Sequence, residues 1–229
     1  EDGITEEQCA RIKSAGISLI FNGKVSQGCL LLKLAKLDSV AVEYLLQMKL
    51  FHEAMKFIRS SNTITKEEKE NACFYIACKI FNEVKQQIRK AMLFFLTAKE
   101  YLHALYCLFK LRKYDDAFII KEYLLKNNLI NKKDDEVDVN NENDNDMAKM
   151  QNENDLVKLS DGKYNINEKS QLFGRKLSVE KVCNAIDLMF AENLKKRNCD
   201  PAKFGVNINI EEMGDLQKDD LVKIIIEIS

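Results

Sequence analysis

Apolar residues recur at helical spacing through the first 130 residues. Ala72, Tyr75, Ile76 and Ile80 repeat every three or four positions, which places them on one face of an α-helix. Other groups show the same spacing: Ile12, Ala15, Leu19 and Ile20; Val42, Leu45 and Leu46; Ile88, Met92, Phe95 and Leu96; Leu105, Leu108 and Phe109; Ile119, Tyr123 and Leu124. The pattern predicts about eight short helices with buried apolar faces and turns of a few residues.

Polar residues and glycines predict where several of these helices begin and end. The segment Thr5–Gln8 fits a capping box, in which two side chains three residues apart satisfy two backbone amides. The segment Thr65–Glu68 offers a second cap, and one residue of the pair Asp38-Ser39 can cap the helix that follows it. Gly23 and Gly28 are expected to interrupt the helices.

One seven-residue pattern occurs three times: apolar, basic, any, aromatic, any, any, alanine. The copies are Met48–Ala54, Ala98–Ala104 and Leu111–Ala117. The basic residue stabilises the negative C-terminal end of one helix. We expect the aromatic ring to cover the seam between that helix and the next, and the alanine to let the two helix axes approach closely. The pattern therefore predicts helical hairpins.

Repeated hairpins of this kind stack into an α-solenoid, in which each pair of helices buries the faces of its neighbours. The second and third copies lie 13 residues apart, whereas the first and second lie 50 residues apart. A regular tetratricopeptide period of about 34 residues is therefore absent. The alternative to the solenoid is an irregular helical bundle in which the three turns arose by chance.

The segment from Ala91 to Phe118 resembles the tetratricopeptide-like α-solenoids of vesicle-coat, tethering and intraflagellar-transport proteins. The resemblance is best over residues 38–127. It implies an all-α fold of short antiparallel hairpins and a scaffolding role through protein–protein contacts, and it carries over no active-site residue. The chain departs from the family in two ways. The usual Gly-Asp or Gly-Arg turn is replaced by Lys-Leu, Lys-Glu or Arg-Lys, and the WD-repeat propeller that typically precedes such hairpins is missing.

Charge divides the chain into three segments, which we predict to be its domains. Residues 1–130 carry 20 basic and 15 acidic groups and form the predicted solenoid. Residues 131–155 carry 3 basic and 9 acidic groups among many asparagines, which predicts a disordered acidic insert. Docking of a basic partner is the functional alternative for this insert. Residues 156–229 carry 12 groups of each sign and are predicted to be mainly helical.

The third segment contains one strong helix signal. Ser178 precedes an apolar stripe that runs to Phe190, and the basic residues Lys195–Arg197 suit the C-terminal end of that helix. Phosphate or nucleic-acid binding is the alternative for the basic triplet. Further on, the segment Ile208–Ile210 can form a short strand. The run Leu221–Ile228 is either a final helix or a strand, and the preceding Asp219-Asp220 pair favours the helix.

Seven cysteines and two histidines are the candidates for metal binding and nucleophilic chemistry. The cysteines are irregularly spaced and include no C-x-x-C pair, which is not the pattern of a zinc site. We expect reduced, buried cysteines that act as small hydrophobic residues, and these indicate a reducing compartment, the cytosol or the nucleus. No metal and no cofactor is predicted, because the chain has neither a glycine-rich phosphate loop nor a known hydrolase motif.

His103 and Cys107 are the one pair whose spacing would suit a Cys–His nucleophile, since they lie four residues apart on a predicted helix. Cys107 stands between Tyr106 and Leu108, and apolar surroundings raise the pKa of a thiol and make it inert. His52 and His103 both precede a repeat alanine, and we expect both at a helix surface. No catalytic residue is therefore predicted.

Composition limits the function further. A single proline and eight glycines argue against an all-β fold, and a net charge of -1 argues against a general nucleic-acid binder. No apolar run reaches the roughly 20 residues that cross a bilayer. The start at Glu1–Thr5, which lacks an apolar signal core, suggests a mature chain or a fragment.

Together these observations predict a non-enzymatic, cytoplasmic protein–protein interaction scaffold, a segment of a subunit of a large trafficking or transport assembly. Its expected partners are other protein subunits, with no small-molecule substrate and no nucleic acid, and it would contact a membrane only indirectly through the complex. The alternative is an adaptor of tetratricopeptide type that binds short peptides or helices in a concave groove.

Overall fold

The computed structural model describes residues 5–83, 85–130 and 166–205, and the chain in these ranges is helical without a β-strand. The ten α-helices of these ranges are α1 (Glu6–Phe21), α2 (Val25–Leu34), α3 (Asp38–Gln47), α4 (Phe51–Ser60), α5 (Lys66–Glu83), α6 (Ile88–Thr97), α7 (Tyr101–Lys110), α8 (Tyr114–Lys126), α9 (Ile166–Phe173) and α10 (Val179–Lys196). Two short 3-10 helices, Lys85–Gln87 and Pro201–Phe204, accompany them. The predicted all-α fold of short helical hairpins is confirmed.

Two of the predicted helix starts have the expected geometry. The Gln8 amide donates to Thr5 Oγ1 at 3.3 Å, and the Thr5 amide donates to Gln8 Oε1 at 2.9 Å. The Thr65 amide donates in the same way to the Glu68 carboxylate at 2.7 Å, and the Glu68 amide donates to Thr65 Oγ1 at 3.2 Å. Local side-chain chemistry therefore sets the beginning of α1 and of α5.

The predicted cap at Asp38 or Ser39 is wrong. The N-cap of α3 is Leu37, and no side-chain hydrogen bond caps this helix. Asp38 is instead the first helical residue and is buried, where its carboxylate accepts a hydrogen bond from the Ser61 hydroxyl. The carboxylate thus ties the start of α3 to the segment that connects α4 to α5.

The basic residue of each repeat copy ends a helix in the left-handed backbone conformation. The φ angle is 57° at Lys49, 60° at Lys99 and 56° at Arg112. In each copy the next amide donates to the carbonyl five residues earlier, at 2.9 to 3.0 Å, which is the Schellman arrangement of a helix C-terminus. The following helix begins one residue later, at the half-buried aromatic side chain. Each copy is therefore a helix stop followed at once by a helix start.

Small residues lie at the contacts between these helices. Ala54 and Ala117 are fully buried and Ala104 is 2% exposed, as the sequence pattern predicts. The structure adds three small buried residues at the same interval, Gly28, Ala41 and Ala91. The six residues form two runs with a spacing of 13 residues, one ending at Ala54 and the other at Ala117. Each interval corresponds to one 10-residue helix and a three-residue turn.

The copy Ala35–Ala41 was missed by the sequence pattern because Asp38 stands at the aromatic position. Its turn has the same geometry, since Lys36 has a φ of 58° and the Leu37 amide donates to the Leu32 carbonyl at 2.9 Å. The repeat is therefore defined by the left-handed residue and the small residue five positions later. The aromatic side chain is an optional part of it.

The prediction that Gly28 interrupts a helix is wrong. Gly28 lies inside α2, at the point where α2 crosses α1. A Cβ atom at Gly28 would lie 2.6 Å from the Gly16 carbonyl oxygen and 2.6 Å from Ile20 Cγ1. A Cβ atom at Gly16 would lie 2.6 Å from Leu32 Cγ. The two glycines therefore allow the helix axes to come closer than any residue with a side chain would.

Helix α5 lies at the centre of the array. Its residues from Asn71 to Cys78 are buried without interruption, because α3, α6 and α9 all pack against this helix. A helix that is buried on every side must be predominantly apolar all round, as this stretch is. Helix α5 thus joins the run of α2–α4 to the run of α6–α8.

Helices α9 and α10 pack against the first segment and share its core. Helix α9 contacts α5, and α10 contacts α7 and α8. The Phe190 ring stacks on Phe118 with centroids 4.2 Å apart, and the buried Lys121 ammonium pairs with the Asp187 carboxylate. The predicted insert at 131–155 and the predicted elements at Ile208–Ile210 and Leu221–Ile228 lie outside the described residues.

The predicted burial of Ile119 and Tyr123 is wrong, since these side chains are 65% and 62% exposed. Helix α8 is apolar on two faces, and α10 covers the face that carries Lys121. Spacing along the chain therefore identified the apolar faces of α8 but not the face that another helix covers. Leu96 on α6 is likewise exposed rather than buried.

Candidate interaction surface

One concave feature of the described residues is a groove between α4, α5 and α6, which we call the α4–α6 groove. Its main part has a volume of about 490 Å³. The side chains that line this part are Met55, Ile58, Arg59, Lys69, Cys73, Lys90, Leu93, Phe94 and Thr97. A second part of about 180 Å³ shares four of them and adds Phe51, His52, Lys56 and Ile80. Helices α4 and α6 form the two walls, and α5 forms the floor.

The local sequence explains why each wall presents apolar atoms to the groove. Helix α4 buries Ala54 and Ile58 and leaves Met55 half-buried beside them. Helix α6 buries Ala91 and Phe95, and the neighbouring Leu93 remains 60% exposed. Each wall therefore presents a large apolar side chain, Met55 on α4 or Leu93 on α6, that the described helices leave partly or largely exposed.

The charged side chains of the groove are all basic. Lys56 and Arg59 lie on α4, Lys69 on α5 and Lys90 on α6, and no acidic residue lines either part of the groove. Within the described ranges none of these four cations forms an ion pair. Two acidic residues of α5 pair elsewhere, since Glu70 binds Lys99 at 2.5 Å and Glu83 binds Lys49 at 3.0 Å. The groove thus combines apolar walls with a positive rim.

Two further apolar features lie outside the groove and near the ends of the helical array. Leu30 and Leu34 are 60% and 70% exposed and lie one turn apart on α2. Ile119 and Tyr123 lie one turn apart on α8. We call these pairs the α2 stripe and the α8 stripe. Full burial of an apolar side chain of this size, relative to full exposure, is worth about 1.5–3 kcal/mol before the costs of association.

His103 lies in the core, so its predicted position at a helix surface is wrong, whereas His52 is exposed as predicted. The His103 ring has its centroid 5.4 Å from Phe74, 5.2 Å from Phe95 and 4.6 Å from Phe173. Helix α9, which lies 60 or more residues further along the chain, supplies the last of these rings. The burial of His103 therefore depends on a contact that local sequence does not reveal.

Glu100 connects this aromatic cluster to α9 by charge. Its carboxylate lies 3.3 Å from His103 Nδ1 and 2.5 Å from Lys169 Nζ. Burial raises the pKa of Glu100, but the contacts with His103 and Lys169 outweigh burial, and the pKa lies below its ordinary range. The negative charge of Glu100 thus helps hold α9 against the turn between α6 and α7.

Cys107 cannot serve as a nucleophile in this environment. Burial raises the pKa of its thiol to about 12, so the thiol stays protonated at neutral pH. Burial also raises the pKa of Cys73 to about 11. Five of the seven cysteines are buried, Cys9 is partly buried, and Cys199 is exposed. The cysteines of the described ranges are all free thiols, and the expected burial holds for five of them but not for Cys9 and Cys199.

The remaining candidates from the sequence are the basic triplet at the end of α10, a metal site and a membrane-spanning helix. Arg197, from the basic triplet at the end of α10, pairs with Asp115 of α8 at 2.9 Å, while Lys195 and Lys196 are exposed. In the described ranges no group of three His, Cys, Asp or Glu side chains is placed to hold a metal ion. No described helix has both the length and the apolar character needed to cross a membrane.

The basic residues of the groove were not singled out from the sequence. The only available signal was the excess of basic over acidic groups in residues 1–130, which does not show which helix faces meet. Comparison with known proteins adds no candidate, because no protein-family model, no curated protein and no solved structure matches the chain. What these surfaces bind must therefore be inferred from their own chemistry.

Proposed function

We propose that the chain is a non-enzymatic protein–protein interaction scaffold and a segment of a subunit of a large cytoplasmic trafficking or transport assembly. The observation that carries the scaffold proposal is the pair of exposed apolar stripes on α2 and α8. Stacked helical arrays bury each unit against its neighbours, and an uncovered apolar face near an end is a place for a further helix or subunit. The resemblance of residues 38–127 to coat and intraflagellar-transport solenoids supports the trafficking context.

A pull-down with quantitative mass spectrometry tests the scaffold. The full chain is immobilised and exposed to cytosol from the cells that make it, beside the double variants Leu30→Ser/Leu34→Ser and Ile119→Ser/Tyr123→Ser. The unchanged chain is expected to recover a fixed set of proteins in near-stoichiometric amounts, and at least one stripe variant is expected to lose them. Gln27→Ser on α2 is an exposed polar control and should recover the same set.

Two results would count against the scaffold. One is the absence of any stoichiometric partner from the unchanged chain. The other is equal recovery by both stripe variants, because the stripes would then contribute nothing to binding. Circular dichroism of each variant, compared with the unchanged chain, confirms that a loss of binding does not reflect unfolding.

A second function, that of an adaptor for short peptides or helices, is favoured by the α4–α6 groove. The groove is concave, apolar in its walls and lined by three helices, which is the usual form of a surface that accepts a helix. The two functions use different surfaces, since no stripe residue lines the groove. One chain can therefore carry both.

A further inference from the structure

We propose that the α4–α6 groove is the docking site for an acidic amphipathic helix of a partner protein. This inference rests on the adaptor function proposed above and specifies the chemistry of its ligand. Three properties of the groove support it: its length, its apolar walls and the sign of its charges.

The length of the walls suits about three turns of helix. Helices α4 and α6 each contain 10 residues, which corresponds to about 15 Å at 1.5 Å per residue. A ligand helix that lies along the groove would place its apolar side chains at positions i, i+3, i+4 and i+7 against the walls. A ligand helix of about three turns is therefore long enough to span the groove.

The walls offer contacts that favour such an apolar stripe. Leu93 projects from α6 and is largely exposed, and the Phe94 ring lies beside it. Met55 contributes a flexible thioether from α4, and methionine adapts its shape to different apolar ligands. These three side chains can be covered by a ligand without any change in the described core.

The charges determine which helix is accepted. Arg59 and Lys56 lie on the α4 wall and Lys90 lies on the α6 wall, so that cations flank the apolar walls from both sides. Aspartate or glutamate on both edges of the ligand's apolar stripe would meet these cations, whereas lysine or arginine there would be repelled. A nucleic acid would match the charges but would not bury the apolar walls, so a protein helix fits both properties.

Fluorescence anisotropy with labelled peptides tests this proposal. The first probe is a 15-residue helical peptide with leucine at i, i+3, i+4 and i+7 and glutamate on both flanks. The second replaces each glutamate by lysine, and the third is a scrambled form of the first. We expect the full chain to bind the first peptide at least tenfold more tightly than either of the others at low ionic strength, and to lose this preference as salt screens the charges.

Charge reversal in the protein provides the decisive variant. In Arg59→Glu/Lys90→Glu the four basic groups of the groove become two basic and two acidic groups, and we expect the preference for the glutamate peptide to be lost. Lys195→Glu/Lys196→Glu on α10 makes the same change in net charge on exposed residues away from the groove, and it should keep the preference for the glutamate peptide. This control separates the local charges of the groove from the total charge of the chain.

A second pair of variants tests the apolar walls. Leu93→Ala should weaken binding of the glutamate peptide several-fold, whereas Phe21→Ala on α1, which removes a similarly exposed apolar side chain outside the groove and both stripes, should not. Because both side chains are largely exposed, neither variant removes a core contact. Equal weakening by the two variants would show that the peptide does not bind in the groove.

Other results would overturn the proposal in identifiable ways. Equal binding of the scrambled peptide would show that charge alone drives association, and tighter binding of a single-stranded oligonucleotide would show that the ligand is a nucleic acid. Peptide binding that appears only after the acidic residues of 131–155 are changed to asparagine and serine would show that this chain itself occupies the groove. Failure of all peptides, with retained capture of partners through the α2 and α8 stripes, would refute the groove and leave the scaffold intact.

Discussion

A methyl group at Gly28 is expected to destabilise the fold although it improves the local helix. Glycine within a helix costs about 1 kcal/mol relative to alanine, so Gly28→Ala would ordinarily stabilise α2 by that amount. Here the added Cβ would lie 2.6 Å from the Gly16 carbonyl oxygen, and the obstructing atom belongs to the backbone of α1. The two helices must therefore move apart, which weakens the packing of Ile20 and Leu32 between them.

The magnitude follows from the competition between these two effects. Overpacking of a close contact costs about 1–3 kcal/mol, and a backbone obstacle belongs at the upper end of that range. After subtraction of the gain in helix propensity, Gly28→Ala should lower the free energy of unfolding by about 2 kcal/mol, with a fall in Tm of about 4–8 °C. Gly16→Ala should cost less, because its added Cβ meets mainly the Leu32 side chain.

Urea unfolding followed by circular dichroism measures these differences. The exposed neighbour Gln27 provides the control, since Gln27→Ala should change the free energy of unfolding by no more than about 0.5 kcal/mol. A Gly28→Ala protein that is as stable as the unchanged chain, or more stable, would refute the close crossing of α1 and α2. The same result would remove the physical basis for the 13-residue series of small residues.

Three further predictions test other parts of the structure. Glu100→Gln should lower the free energy of unfolding at neutral pH. Because folding lowers the pKa of Glu100, the difference between the two proteins should shrink as the pH falls below the ordinary range for glutamate. A difference that grows with acid in urea titrations would contradict this role of Glu100. Iodoacetamide should modify Cys199 in the folded protein within minutes and leave Cys107 unmodified until urea is added. Mass spectrometry of the digested protein measures both, and rapid modification of Cys107 would mean that the core is open. The isolated chain should self-associate at high concentration in light-scattering measurements, and Leu30→Ser/Leu34→Ser should reduce this association. If the variant has the same average molar mass as the unchanged chain, the α2 stripe is not the surface of contact.

The parts of the fold that follow from sequence are those set by neighbouring residues. The capping segments Thr5–Gln8 and Thr65–Glu68 act within one helical turn, and the three aromatic–alanine turns are complete within seven residues. Both kinds of element were correctly predicted for this reason. The copy Ala35–Ala41 was missed because the pattern required an aromatic residue that the turn geometry does not need.

The parts that could not be predicted depend on which helices meet. His52 and His103 lie two residues and one residue before a repeat alanine, and only His103 is covered, with Phe173 of α9 against it. Ile119 and Tyr123 have the spacing of a buried face but remain exposed. The α4–α6 groove is of the same kind, since its basic rim is assembled from three helices that periodicity alone does not position relative to one another.

The 13-residue spacing has a consequence for how this chain can change in length. Each unit is one helix and one reversing turn, so consecutive helices point in opposite directions. Removal of one unit would invert every helix that follows and present its outer side chains to the interior. Removal or duplication of two adjacent units would preserve the direction of all later helices, so the array is suited to lengthening or shortening in pairs.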